Sequence, residues 1–218
     1  MLYQLLESKK PQEKQVGQLL TGLEYENLVT ALSLALEAHA SILEPYRALS
    51  GYLDATQDQK RGLELGQMVL RQLEGYSSEK LAGELGAEFA GVIDEIANRQ
   101  LRMRLYEEAE TSYQKALAIF LELKILERAT AQKLSAGIYH NLGSVAQEQR
   151  QWQQAEQYFQ SALEILREYD DTYAISIVLR SMVRLWKDGH GDKVPKSVAS
   201  ILGMSEEEAI GTLQQVLE

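Results

Sequence analysis

The clearest pattern of apolar and small residues in this chain lies between Tyr139 and Leu163. Two sets of positions in this segment recur at the spacing of one helix face. The first set is Tyr139, Leu142, Gly143 and Ala146, and the second set is Trp152, Ala155, Phe159 and Ala162. Small residues let two helix backbones approach closely, and large residues fill the space beside them. The segment therefore predicts two antiparallel helices that are joined by a short turn.

The same pattern occurs earlier in the chain, which indicates internal repetition. Residues 104–122, RLYEEAETSYQKALAIFLE, align with residues 150–168, RQWQQAEQYFQSALEILRE, at an offset of 46. Ala109 in the first segment matches Ala155 in the second, so the small-residue position is kept. Helical repeats of this kind have a period of about 34 residues. We expect the additional residues to lengthen the helices and to enlarge the connecting loop near Thr130.

The periodicity along the whole chain predicts an all-α protein. We expect a helical array over residues 1–189 and a C-terminal helical cap over residues 190–218. The predicted parts of the array are degenerate helix pairs near 12–40 and 45–75, clear pairs near 78–125 and 131–168, and a last helix at 172–187. In the first pair, one apolar face is expected to point inward and consists of Val16, Leu19, Leu20 and Leu23. In the cap, Ser205 to Glu208 has the sequence of a capping box, which predicts the start of the final helix.

The segment YHNLGSVAQEQRQWQQAEQYF (residues 139–159) resembles the tetratricopeptide repeat (TPR). This resemblance implies an α-solenoid, in which antiparallel helix pairs stack into a right-handed superhelix. Together with segments 22–39, 49–70 and 86–101, it also resembles the TPR regions of bacterial, especially cyanobacterial, STAND signalling proteins of the NB-ARC or NACHT type. In those proteins the array is implied to act as a sensor arm beside an NTP-hydrolysing module. This sequence has no phosphate-binding loop, so the chain is either a short member or part of a longer protein.

The charge and composition of the chain argue against several classes of function and location. The formal net charge of −10 argues against nucleic-acid binding, which needs clustered cations. There are no cysteines, so disulfides and thiolate metal sites are excluded and a cytoplasmic location is the default. No apolar run approaches the roughly 18 residues that span a membrane, and the N-terminus does not read as a secretion signal.

No cofactor or metal site is expected, since the three histidines are far apart in sequence and no metal-binding motif occurs. Hydrolase and nucleotide-binding motifs are also absent, and there is no cysteine nucleophile. The sequence therefore predicts a protein that is not an enzyme.

The candidate binding residues lie on the first helix of each pair, which lines the concave face of such an array. They are Asn98, Arg102, His140, Asn141, Gln147, Arg180, Arg184 and Lys187. Amide side chains of this set would hydrogen-bond an extended peptide, and the cations would bind acidic side chains. The last three residues follow one another at i, i+4 and i+7. Their alternative interpretation is a solvated helix face whose cations suit the helix C-terminus.

Asn141 occupies the position at which TPR domains that bind chaperone C-termini carry an asparagine. Those domains also need Lys and Arg where Ile177 and Ser181 stand here, so we do not expect a carboxylate clamp.

The leading hypothesis is therefore a protein–protein interaction module that binds a peptide or a partner protein, with acidic character, on its concave face. The alternative is a sensor arm that regulates a STAND-type NTPase, in the same chain or in another. The acidic helix predicted at Ser205–Glu218 could also fold back onto Arg180, Arg184 and Lys187. A cap that packs on the neighbouring helices is favoured over this arrangement. The sequence leaves the partner and the oligomeric state open.

Overall fold

The structure, a computed structural model, describes residues 2–123 and 128–216. Within these residues every regular element is a helix, so the predicted all-α class is confirmed. The helices are α1 (Leu2–Leu6), α2 (Pro11–Leu23), α3 (Tyr25–Glu37), α4 (Leu43–Ala55), α5 (Gln59–Glu74), α6 (Ser78–Leu81), α7 (Glu84–Arg102), α8 (Tyr106–Glu122), α9 (Arg128–Glu148), α10 (Trp152–Glu168), α11 (Thr172–Lys187), α12 (Val194–Leu202) and α13 (Glu206–Gln215). The loop predicted near Thr130 overlaps residues 124–127, outside the described residues, while Thr130 itself lies in α9.

The chain divides into two compact units, residues 1–105 and residues 106–218. In unit 1, α4 lies at the centre, since it packs against α1, α2, α3 and α5, and α5 in turn packs against α7. The apolar face of α4 is buried, with Leu49 and Leu53 almost inaccessible to solvent. Gly66 on α5 allows a close approach to α7, because a Cβ atom there would lie 2.7 Å from Cγ1 of Ile96.

The predicted inward face of α2 is wrong. Its members Val16, Leu19, Leu20 and Leu23 are 48%, 64%, 36% and 72% exposed. The buried residues of α2 are instead Gly17 and Thr21, on another face of the helix. A Cβ atom at Gly17 would lie 2.9 Å from the backbone of Leu5, so the backbone of helix α1 packs directly against this small residue. Close backbone approach therefore determines the rotation of α2, rather than the position of its apolar side chains.

In unit 2, the hairpin of α9 and α10 has the packing that the sequence predicts. Leu142, Ala146, Ala155 and Ala162 are buried together with Phe159. A Cβ atom at Gly143 would lie 2.5 Å from Cε1 of Phe159, so only glycine fits opposite this ring. Small and large residues thus interlock across the hairpin, as ridges pack into grooves.

The turns between helices share one backbone motif. Arg150 has a φ of 61°, and its neighbour Gln151 donates a backbone hydrogen bond of 2.8 Å to the carbonyl of Ala146. Arg104, at the matching position of the earlier repeat, has a φ of 62°. A left-handed residue followed by this bond closes the helix C-terminus in a Schellman motif. The sequence repeat at an offset of 46 therefore extends to the conformation of the turn.

The C-terminal helices complete the core of unit 2. Val194 and Val198 of α12 and Leu213 of α13 join the same apolar cluster as Met182 and Val183 of α11. The helix break after Lys187 is present, with Gly189 at a φ of 74°. The predicted capping box is also present, as the Ser205 hydroxyl accepts from the Glu208 backbone and the Glu208 carboxylate accepts from the Ser205 backbone. The boundary between array and cap that we predict at residues 189 and 190 stays a prediction.

Candidate functional site

Helices α9 and α11 contact each other in unit 2, and both pack against α10. Nε2 of His140 lies 2.9 Å from Oγ of Ser181 and joins the two helices directly. We call this the α9–α11 surface. Its members are His140, Asn141, Ser144 and Gln147 of α9 and Arg180, Ser181, Arg184 and Lys187 of α11.

The three cations of α11 point to solvent. Leu179, Met182 and Val183 are at most 3% exposed, and they determine the rotation of the helix. Arg180, Arg184 and Lys187 consequently lie on the opposite side and are exposed. None of the three forms a salt bridge with another of the described residues. The tail helix α13 does not bury either arginine, so the structure does not have the self-inhibited arrangement.

Charge in unit 2 is segregated by helix. Helix α11 carries three basic residues and no acidic residue, and α9 carries two basic residues and one acidic residue, Glu148. Helices α8 and α10 together carry seven acidic and two basic residues. Glu148 accepts a hydrogen bond of 3.0 Å from the Tyr106 hydroxyl, so this carboxylate is engaged by α8. In a chain of net charge −10, the α9–α11 surface is therefore locally positive.

His140 supports the surface without contributing charge to it. Its ring is half-buried, with its centroid 5.7 Å from that of Phe159. Burial lowers the pKa of His140, and a hydrogen bond with Asn141 opposes this only in part. The imidazole is thus neutral near pH 7 and joins α9 to α11 through Ser181. Gln147 lies further along α9 and is half-buried.

The remaining predicted residues, Asn98 and Arg102, lie on α7 in unit 1 and already have partners within that unit. The Asn98 amide donates to the backbone carbonyl of Asp94 at 3.0 Å. The Arg102 guanidinium lies 3.0 Å from the carboxylate of Asp54 and 3.4 Å from the amide oxygen of Gln59. Their polar groups are therefore engaged internally, in contrast to the cations of α11.

Sequence reasoning missed Arg99, which is 1% exposed. Its guanidinium donates to the Ser50 carbonyl, the Ser50 hydroxyl and the Asp54 carboxylate, each at 3.0 Å. Ser50 also donates to Glu95, whose pKa is raised by burial although Ser50 and Arg99 lower it. Two signals were available. Arg99 follows the inward-facing Ile96 by three residues, and Gly62 on α5 leaves room for its side chain.

The described residues contain no group of three or more His, Asp or Glu side chains that could hold a metal ion. The histidines have aromatic neighbours instead. His190 stacks on Trp152 at 4.0 Å between ring centroids, and His39 lies 4.2 Å from Tyr76. Across the described ranges, no helix combines the length and the apolar character needed to cross a membrane.

Comparison with known proteins finds a family model that matches the part of the chain containing this surface. Residues 134–187 match the tetratricopeptide repeat. The match runs from α9 through α10 to the end of α11, so it contains the whole α9–α11 surface. It supports the TPR interpretation of the sequence pattern, and TPR repeats are a non-catalytic fold that generally mediates protein–protein interaction.

Among solved structures, the chain is similar to BtubC (BKLC) from P. vanneervenii, at 15% sequence identity and a TM-score of 0.57. The similarity covers 88% of this chain and 84% of that one, and it confirms the helical-repeat fold. None of the curated proteins matches the chain in sequence.

Proposed function

We propose that unit 2 binds an acidic, extended segment of a partner protein along the α9–α11 surface. The observation that carries this proposal is the stripe of Arg180, Arg184 and Lys187, which is exposed and lacks acidic partners among the described residues. Carboxylates at i and i+4 from exposed cations would stabilise the helix through pairs of opposite charge. Helix α11 has none over its sixteen residues.

The polar residues of α9 suit the same ligand. Gln147 carries an amide group, which can both donate to and accept from a peptide backbone. Asn141 carries a second amide, which is also hydrogen-bonded to His140. An extended segment on the surface would thus meet amides on one side and cations on the other. The interaction is proposed to take place in the cytoplasm, and it needs no chemical step by this chain.

The test is binding of a fluorescein-labelled peptide of alternating glutamate and glycine, measured by anisotropy at about 50 mM salt, where screening is moderate. The variant Arg180→Glu/Arg184→Glu should weaken binding at least about tenfold, because two attractions become repulsions. The matched control is Lys193→Glu/Lys196→Glu, which makes the same charge change at exposed positions near and on α12. Equal loss in both variants would show that only net charge matters and would refute the site.

A second candidate function is a sensor arm for a STAND-type NTPase. It is supported by the resemblance of segments 22–39, 49–70 and 86–101 to the TPR regions of those proteins. A neighbouring reading frame for a P-loop ATPase, whose hydrolysis rate changes when this chain is added, would favour it. A stand-alone gene and an unchanged rate would count against it.

A further inference from the structure

We infer that the α9–α11 surface binds a phosphorylated side chain of its partner, with the phosphate between Arg180 and Arg184. This deepens the proposed function and rests on it, because the same surface receives the ligand. The site would then select a dianion rather than a single carboxylate.

The spacing of the two arginines suits a shared ligand. Residues four apart on a helix have Cβ atoms about 5–6 Å from each other, on the same side. Leu179 and Val183, each directly before one of the arginines, are 3% and 0% exposed and hold this side outward. Two guanidinium groups, one helix turn apart, can therefore converge on one group outside the helix.

The electrostatics favour a ligand of higher charge than a carboxylate. Like charges at i and i+4 repel each other and destabilise the helix. A carboxylate carries one charge and is satisfied by a single arginine fork. A phosphoryl group carries about −1.5 to −2 charges and three acceptor oxygens, so it can accept from both guanidinium groups. Such a ligand offsets the repulsion between Arg180 and Arg184, which a single carboxylate offsets only in part.

No acidic side chain of the described residues forms a salt bridge with this pair. On α9, His140 is uncharged near pH 7 and is hydrogen-bonded to Ser181, the residue after Arg180. Glu148 is held by the Tyr106 hydroxyl. Asp188, the C-cap of α11, follows Arg184 by four residues and makes no salt bridge with it, although its charge reduces the local positive potential. Lys187 lies one turn beyond Arg184 and would bind an acidic residue beside the phosphorylated one.

The experiment compares three labelled peptides that are identical except at one central position, which is phosphoserine, glutamate or serine. All carry flanking glutamate and glycine residues, and anisotropy gives each affinity for the full chain. We expect the phosphoserine peptide to bind at least about tenfold more tightly than the glutamate peptide, because the phosphoryl group carries more charge and can accept from both guanidinium groups. Lowering the pH from about 7.5 to about 5.5 should reduce this ratio, since the second phosphate pKa is about 6.

Two variants locate the effect. Arg180→Lys/Arg184→Lys keeps the charge but removes both guanidinium forks, so binding of the phosphoserine peptide should fall by a larger factor than binding of the glutamate peptide. The control Lys193→Gln/Lys196→Gln should keep the preference. Equal affinities for phosphoserine and glutamate, lost together in Arg180→Glu/Arg184→Glu, would refute the phosphate inference and leave the proposed function standing. Absence of binding by all three peptides would refute both.

Discussion

Gly62 provides the sharpest test of how unit 1 holds together. A Cβ atom at this position would lie 2.2 Å from Nε and 2.9 Å from Cζ of Arg99. The guanidinium cannot withdraw freely, because it is buried and bonded to Ser50 and Asp54. We therefore predict that Gly62→Ala forces Arg99 out of its hydrogen-bonded position.

The magnitude follows from three contributions. Alanine in place of glycine inside a helix stabilises by about 1 kcal/mol. Overpacking costs about 1–3 kcal/mol, and each hydrogen bond to a charged group that is lost costs about 1.5–3 kcal/mol. With one hydrogen bond of Arg99 lost, the net expectation is that Gly62→Ala lowers the free energy of unfolding of unit 1 by about 1.5–5 kcal/mol. In an Arg99→Ala background the obstacle is absent, so the same substitution should be neutral or stabilising by up to about 1 kcal/mol.

Urea unfolding can measure both effects. Trp152 and Trp186 both belong to unit 2, so their fluorescence reports that unit, while far-UV circular dichroism reports both units. The matched control is Gly91→Ala on α7, where an added Cβ atom has no neighbour within 4 Å. The control should stabilise slightly in both backgrounds. If Gly62→Ala destabilises the Arg99→Ala protein as much as the wild type, Arg99 is not what this glycine accommodates.

Three further predictions concern single positions. Gly143→Ala should destabilise unit 2 by about 1–3 kcal/mol, since its Cβ atom would lie 2.5 Å from the Phe159 ring. Urea unfolding followed by tryptophan fluorescence measures this loss of stability. The control Gly137→Ala should not destabilise unit 2, because a Cβ atom at Gly137 has no neighbour within 4 Å. Arg150→Gly should stabilise by about 1 kcal/mol because φ is 61°, and a lower thermal midpoint would contradict the strain argument. Burial raises the pKa of Asp94 to about 6, from 3.8. Because its ionised form is penalised in the fold, unit 1 should lose stability as pH rises from about 4 to about 6. Asp94→Asn should reduce this slope in a pH series of urea melts, with the part due to the raised pKa of Glu95 remaining, and should stabilise by about 1–3 kcal/mol at pH 7.

The helix pair around Gly143 and Phe159 could be predicted because its information is local. The alternation of small and large residues at helical spacing determines both the helices and their contact. The same reasoning failed for α2, where periodicity identifies an apolar face but not the face that has neighbours. Gly17 has no side chain to signal burial, yet it permits the closest backbone approach. A rule that weighs only side-chain hydrophobicity therefore selects the wrong side of such a helix.

For the candidate site residues, too, the features that depend on nearby sequence could be predicted, and the pairings between distant residues could not. The outward direction of Arg180 and Arg184 follows from the apolar residues beside them, and the sequence predicts it. The pairing of Arg102 with Asp54 depends on residues 48 positions apart, so no local pattern reveals it. Arg99 was missed because charged side chains are rarely buried without partners. Its partners, Ser50 and Asp54, come from α4 and meet α7 only in the folded unit.

Under the proposed function, the charge segregation in unit 2 would let an acidic chain bind an acidic ligand. At physiological salt, charges more than about 8 Å apart are largely screened, so the net charge of −10 has little effect on a ligand already at the surface. Within that distance of their own surfaces, the acidic helices α8 and α10 repel such a ligand and oppose non-specific association. A segment whose negative charge is concentrated near Arg180 and Arg184 gains local attraction and lies away from this repulsion. A diffuse acidic partner gains less, so the segregation of charge favours a compact, highly charged group.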